Sequence, residues 1–266
     1  MVAISNSDFL LLDTDGESLE SINVDEIKTY KAVVLRNLSE VSTSSLDSFS
    51  KKFGKPLMYG DSSEMVFEGL TTNEDDLHYD GISSEKLEMV PQWLVFHLEK
   101  ALNPQYKGQF LIVDSVNSLA NLSKEVALFL RKHKQQFFGY PCWNNPNLQL
   151  DDFAFEIDCI TEYKGVERLR IHVPLYEDST EIVTNGMHVY TKPHDFSLGF
   201  SGCDAIETMD VLNKIREVLF QDDNMWTIQF QDNDVLIANN EQVFHGRHSL
   251  VESDFRIMRR RQMLIR

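Results

Sequence analysis

Short apolar runs and period-two stretches outnumber helical stripes along this chain. Residues 30–36, Tyr-Lys-Ala-Val-Val-Leu-Arg, form a β-branched run that reads as a buried strand. Ser42-Thr43-Ser44-Ser45 then precedes Leu46, Phe49 and Phe53, an N-cap followed by the apolar spacing of a short amphipathic helix that Gly54 ends. A second helix is predicted over 123–134 with Ser123 as its cap. A third is predicted over Ala205–Phe220, where Ile206, Val211, Leu212, Ile215, Val218 and Leu219 line one face. Strands are predicted at Trp93–Glu99, Gln109–Asp114, Arg168–Pro174, Met225–Gln231, Asp234–Ala238 and Phe255–Leu264. Many short strands with few helices point to an antiparallel sandwich or barrel with helices packed outside. No linker or repeat divides the chain, so residues 1–266 are expected to form a single domain.

Composition narrows the function classes. The hydrophobic fraction of 42% and charged fraction of 25% are those of a globular protein with a real core. Forty-two acids against 25 bases leave a net charge of −17, a poor binder of polyanions, so neither nucleic acid nor anionic membrane is an expected partner. Met1–Asp13 has no basic start and no apolar h-region, and no apolar run approaches the ~18 residues of a membrane span. Cys142, Cys159 and Cys203 are odd in number and unpatterned, which fits buried free thiols in a reducing compartment. A soluble, cytoplasmic protein is expected.

The histidines carry the candidate chemistry. His133 falls in a basic helix end, where a cation faces the negative end of the dipole, and His97 and His172 fall in strand-like runs as structural imidazoles. His78-Tyr79-Asp80 differs. On a strand, residues two apart share a face, so His78 and Asp80 can offer an imidazole and a carboxylate to one metal. Two imidazoles and one carboxylate on one face of an octahedron is the ligand set of non-haem Fe(II), with three positions left open. The second histidine is expected at His245, after the strand and polar turn of 233–244. Eleven residues further on, Arg256, Met258 and Arg260 share a strand face, and their guanidinium groups suit a dicarboxylate. Arg259 and Arg261, on the other face, read as a solvated basic edge.

These segments, in this order and with this long gap between them, resemble the taurine dioxygenase-like superfamily of Fe(II)/2-oxoglutarate-dependent oxygenases. The likeness runs from Phe53-Gly54-Lys55-Pro56 through His78-Tyr79-Asp80-Gly81 to His245-Gly246-Arg247 and Arg256. It implies a mainly β fold with flanking helices, the double-stranded β-helix or jelly roll. It implies Fe(II) held by His78, Asp80 and His245, the C5 carboxylate of the cosubstrate 2-oxoglutarate held by Arg256, and an anionic substrate group met by Arg260. Oxidation of a small molecule, driven by oxygen and the decarboxylation of 2-oxoglutarate to succinate, is the implied reaction. The intact carboxylate of Asp80 disfavours halogenation, which requires its absence. Tyr79, Trp143, His188 and Tyr190 are further pocket candidates, whereas Arg247 is expected to pair structurally.

The chain departs from the pattern twice. Relatives have a threonine that helps hold 2-oxoglutarate where this chain reads Lys107-Gly108-Gln109-Phe110, and they often read Asp-Asn-Arg where it has Asn239-Asn240-Glu241. A narrower similarity, carried by His78-Tyr79-Asp80-Gly81, Pro91 and Val95-Phe96-His97, is to the paerucumarin-type oxygenases of isonitrile biosynthesis in secondary metabolism. It implies desaturation or hydroxylation of an isonitrile made from tyrosine or tryptophan. The alternatives are a hydroxylase of another small carboxylate or sulfonate, a zinc hydrolase using the HxxH of His245 and His248, or a non-catalytic jelly-roll binding protein. Against the zinc reading, the chain has no HExxH and no cysteine ligand pattern, and it has no GxGxxG, GxxxxGK or GxSxG either.

Overall fold

A computed structural model describes residues 3–5, 8–71, 75–84, 89–139, 148–149, 152–175, 181–184, 189–192, 196–252 and 254–264. In chain order its strands are β1 (Ala3–Ser5), β2 (Phe9–Asp13), β3 (Ala32–Arg36), β4 (Lys55–Pro56), β5 (Glu64–Thr71), β6 (Asp75–His78), β7 (Trp93–Lys100), β8 (Phe110–Asp114), β9 (Lys134–Phe138), β10 (Phe153–Asp158), β11 (Ile160–Tyr163), β12 (Val166–Leu169), β13 (Glu181–Thr184), β14 (Val189–Lys192), β15 (Ser197–Phe200), β16 (Met225–Ile228), β17 (Asp234–Asn239), β18 (Val243–Arg247) and β19 (Asp254–Leu264). The helices are α1 (Val24–Ile27), α2 (Thr43–Ser50), α3 (Ser115–Asn121), α4 (Lys124–Lys132) and α5 (Ala205–Leu219).

The major sheet runs β1-β2-β3-β17-β7-β19-β4, with β5 also paired to β19, and a minor sheet runs β16-β8-β18-β6. Alternation along the strands divides their residues between cores. Leu94, Phe96 and Leu98 of β7, Leu236 and Ala238 of β17, and Met258 of β19 meet Phe110, Ile112, Ile228 and Val243 of the minor sheet in one buried cluster. The two sheets therefore face each other, as the two halves of a jelly roll do. The intervening residues of the major sheet, Val33, Leu35, Val95, Val235 and Ile237, pack outward on Ile27, Leu46 and Phe49. The outer face of the minor sheet, with Leu111, Val113 and Phe244, is covered by α4, α5 and side chains of a five-stranded sheet, β10-β9-β15-β14-β13. Each core is thus one parity of the same strands, and burying each Val, Leu, Ile or Phe contributes roughly 1.5–3 kcal/mol.

The predicted helices form where their caps stand. Ser42 accepts from the Ser45 amide at 3.1 Å and Ser45 returns a bond to the Ser42 amide, closing a capping box at α2. Ser123 caps α4 by accepting from Val126. Asp204 and Glu207 form the box at α5. The run predicted as one strand over Arg168–Pro174 divides instead. Its start belongs to β12, which pairs with β11, and its end only bridges β6 through Leu77 and Val173. One apolar run serves two neighbours, so no single ladder takes all of it. No helix among the described residues is long and apolar enough to cross a membrane.

Candidate metal centre

The centre is built on two neighbouring strands of the minor sheet. In the antiparallel pair β6–β18, His78 lies directly opposite His245, and the ring centroids are 4.4 Å apart. Gly246 permits this approach: a Cβ there would stand 2.6 Å from the carbonyl oxygen of Asp75 and 3.1 Å from that of Asp76. Asp80 arrives differently from the expectation, because β6 ends at His78 and Asp80 lies in the turn that follows. That turn passes through Gly81 at φ +82°, a conformation that strains any L side chain. The Asn240 side chain holds it, accepting from the Asp80 amide at 2.9 Å and donating to the carbonyls of Asp80 at 3.0 Å and Pro91 at 2.7 Å.

The three ligand atoms, one from each of His78, Asp80 and His245, lie within 4.8 Å of one another. Asp80 Oδ1 is 3.8 Å from Nε2 of both histidines. His78 Nδ1 sits 2.7 Å from the carbonyl oxygen of Asp76, so in the neutral tautomer the proton is on Nδ1 and the Nε2 lone pair faces Asp80. His245 stacks on Phe110 and meets the edge of Phe96, and burial pushes its pKa down to about 3, keeping it neutral. Burial opposes ionisation of Asp80 too. There, the Arg260 guanidinium first and the Gln262 amide after it outweigh burial and hold the carboxyl below its ordinary range. Two imidazole nitrogens and an ionised carboxylate oxygen, with aromatic rings against His245, fit a divalent transition metal. His248, the other half of the HxxH spacing, is not part of this cluster among the described residues.

Strand β19 brings cations to the same core. Arg260 Nη1 donates to Asp80 Oδ1 at 2.8 Å, and Gln262 Nε2 donates to Oδ2 at 2.5 Å. Arg256, on the same face, lines a small cavity with Arg247, Gln229, Gly108, Phe110 and Met258. Burial lowers the Arg256 pKa, and the field of Asp75 only partly offsets this. Gly108 and Phe110 form the wall where the usual threonine is missing, and Gln229 is the neutral polar side chain there. Arg247 is buried and donates to the His248 carbonyl at 2.9 Å, a structural bond, while also lining this cavity.

The outer face of β19 corrects one expectation. Arg259 and Arg261 are not a solvated edge, because β19 lies between β7 and the pair β4 and β5. Arg261 is 1% exposed and binds Asp47 and Glu64, and Arg259 binds Glu64 and Glu99. Their charge is neutralised inside the protein by acids of α2, β5 and β7.

Tyr79 joins Leu77 and Phe244 in the outer cluster and lies under the Arg170 guanidinium, in a separate small cavity with Arg168 and Glu241. It is not among the side chains gathered around Asp80. Glu241, which stands where relatives often have arginine, is paired with Arg168. Trp143 and His188 lie outside the described residues, as do Cys142 and the Tyr190 side chain. His97 meets Asn233 at 3.4 Å, His172 meets Asp76 at 3.0 Å, and His133 stacks on Phe129 at the end of α4. Cys159 is buried and Cys203 half-buried, both as free thiols. Gln262 and Asn240 belong to no motif of the sequence. Gln262 continues the period of Arg256, Met258 and Arg260, which was its available signal; Asn240 had only its place in the turn before β18.

The sequence model of the taurine catabolism dioxygenase TauD, TfdA family matches residues 11–262. A curated relative, 3-((Z)-2-isocyanoethenyl)-1H-indole synthase of Fischerella ambigua (strain UTEX 1903), is 21% identical over 266 residues, spanning 94% of this chain and 89% of its own. The crystal structure of PvcB from Pseudomonas aeruginosa superposes with a TM-score of 0.72 at 15% identity, covering 97% of this chain and 86% of that one. A second PvcB structure, described as an Fe, alpha-ketoglutarate dependent oxygenase from an isonitrile synthetic pathway, gives 0.70 at 16% identity, with 97% and 86% covered.

Proposed function

We propose, for a chain that belongs to the taurine catabolism dioxygenase TauD, TfdA family, that its substrate is a small anionic molecule derived from an amino acid, such as the isonitrile of tyrosine or tryptophan. The protein is an oxidoreductase of that dioxygenase family, and its cofactors are Fe(II) and 2-oxoglutarate. The observation that carries the reading is the convergence of His78, Asp80 and His245, ligand atoms within 4.8 Å, on a core that also holds guanidinium groups from β18 and β19.

In this reading His78, Asp80 and His245 hold the iron, whose bound form activates oxygen with electrons from 2-oxoglutarate. The rest is placement by the chain. Arg256 binds the C5 carboxylate in the cavity it shares with Gln229 and Arg247. Arg260, whose guanidinium lies 4.9 Å over the Phe67 ring, binds the anionic group of the substrate against an aromatic surface. Phe96 and Phe110 keep the His245 side of the centre dry. Arg256 and Arg260 bring two guanidinium groups to the inner face of β19, which favours anionic ligands. The isonitrile class is supported by the likeness to the Fischerella synthase and to PvcB. A single-domain enzyme that desaturates or hydroxylates such a substrate follows.

The test is an anaerobic titration of the apo-protein with Fe(II) and then 2-oxoglutarate, watching for the visible charge-transfer band of the chelate. The band should vanish in His78→Ala and weaken at least tenfold in apparent 2-oxoglutarate affinity in Arg256→Ala, a loss of ~1.4 kcal/mol or more. Aerobic incubation with tryptophan and tyrosine isonitriles should then yield succinate together with a product two hydrogens lighter or one oxygen heavier. Succinate formed only with other carboxylates or sulfonates would remove the isonitrile reading, and no band with no succinate would remove the oxygenase.

A further inference from the structure

The two oxygens of Asp80 are held by two side chains of opposite character. Gln262, 5% exposed, is neutral and bonds Oδ2 at 2.5 Å. Arg260 is charged and bonds Oδ1 at 2.8 Å, the oxygen that also lies 3.8 Å from each imidazole Nε2. Oδ1 is therefore the oxygen that would be offered to a metal between the two rings, and a guanidinium on it would oppose a divalent cation by charge repulsion in a buried site. The Gln262 amide brings no such repulsion and leaves Oδ1 as the free donor.

Arg260 is also weakly committed. Among the described residues it otherwise meets the Met65 sulfur, at 3.2 Å, and the face of Phe67, with Tyr59 in its field, and its Nε is buried without a hydrogen-bond partner among them. Arg259 and Arg261 beside it each bind two carboxylates. A guanidinium with a donor unused and one carboxylate to leave is held less firmly than either of these neighbours.

We propose that Arg260 and Gln262 act as two unequal clamps on Asp80. Gln262 stays on Oδ2 and fixes which oxygen faces the imidazoles. Arg260 guards Oδ1 until an anionic group takes its guanidinium, so anion and metal bind with positive coupling. The proposal rests on the oxygenase reading and adds to it that the same arginine which receives the substrate's anion regulates the metal site. By linkage, whatever factor the anion adds to metal affinity, the metal adds to anion affinity.

The experiment measures Co(II) binding to the apo full-length chain, without 2-oxoglutarate, from the cobalt visible spectrum. Titrations run with and without 3-(4-hydroxyphenyl)propionate, and with its neutral amide as control. In the wild type the propionate should tighten Co(II) binding about tenfold, within the ordinary range of site coupling, and the amide should not. Arg260→Gln should bind Co(II) about tenfold more tightly with no additive and lose the propionate effect. Arg260→Lys, which keeps the charge without the fork, should fall between them. Gln262→Leu should bind Co(II) more weakly and keep the propionate effect. Circular dichroism confirms that each variant is folded.

A His245-dependent Co(II) site whose affinity is unchanged or weakened in Arg260→Gln overturns the clamp alone. So does a propionate effect that persists in that variant, because the carboxylate would then sit on the metal. A wild type indifferent to the propionate overturns it as well. No site lost in His245→Ala overturns the oxygenase reading and the clamp with it.

Discussion

Burial drives Cys159 and His245 in opposite directions on the pKa scale for the same reason, which is that it disfavours the charged form of each. The Cys159 thiol is pushed up to about 12 and the His245 imidazole down to about 3. At pH 8, far below its folded value, Cys159 stays protonated, and only the thiolate is the nucleophile. We therefore expect iodoacetamide at pH 8 to leave the Cys159 peptide unmodified in the native protein and to alkylate it once the chain is unfolded in guanidinium. Peptide mass spectrometry checks this, and fast native alkylation at that cysteine would contradict its burial. Residue type and spacing marked His78, Asp80 and His245 in the sequence as candidate ligands, and the structure brings these three together. Asn240 was not visible as a holder of Asp80, since an asparagine in a polar turn has many uses and its three bonds cross 149 to 160 residues of chain.

Pairing of β6 with β18 is what turns two distant histidines into neighbours, and Gly246 is its weak point. A Cβ at 2.6 Å from the Asp75 carbonyl meets backbone, which cannot rotate aside as a side chain can. Gly246→Ala should push β6 away from β18, lower stability by about 1–3 kcal/mol as overpacking does, and weaken Co(II) binding more than the stability loss alone explains. Denaturant unfolding and a Co(II) titration together test this, and an alanine variant with unchanged metal affinity would show that the strand spacing is slack. Strand β19 teaches the complementary lesson. Its alternation was legible, so Arg256, Met258 and Arg260 were assigned to one face. Its position inside the major sheet was not, and the outer arginines were misread as a solvated edge. A strand pattern records which residues share a face and is silent on what lies beyond that face.

Across the whole molecule, the three candidate ligands come from β6, the turn after it and β18, so a metal there would tie segments from distant parts of the chain together on the minor-sheet side. A ligand that binds the folded state alone stabilises it by about 2.7 kcal/mol at a hundredfold excess over its dissociation constant. For a chain of this size that is a rise of several degrees, roughly 2–4 °C per kcal/mol. Adding Co(II) to the chelator-stripped protein should raise its melting temperature by about that much, and His78→Ala should show no rise; calorimetry reads both. Local rules determined a great deal here. Side-chain period, caps and ligand chemistry are properties of neighbours along the chain, so the β-rich architecture, the helices α2 and α4 with their serine caps, the apolar stripe of α5, and the resemblance carried by the metal motifs could be read from residues alone. Tertiary structure decided the rest: that Asp80 comes from a turn, that Gln262 and Arg260 divide its two oxygens, that Arg261 is buried between acids, and that Tyr79 lies on the outer side. These depend on which strands become neighbours, and strand neighbours are chosen by the packing of the whole core, which no window of sequence contains.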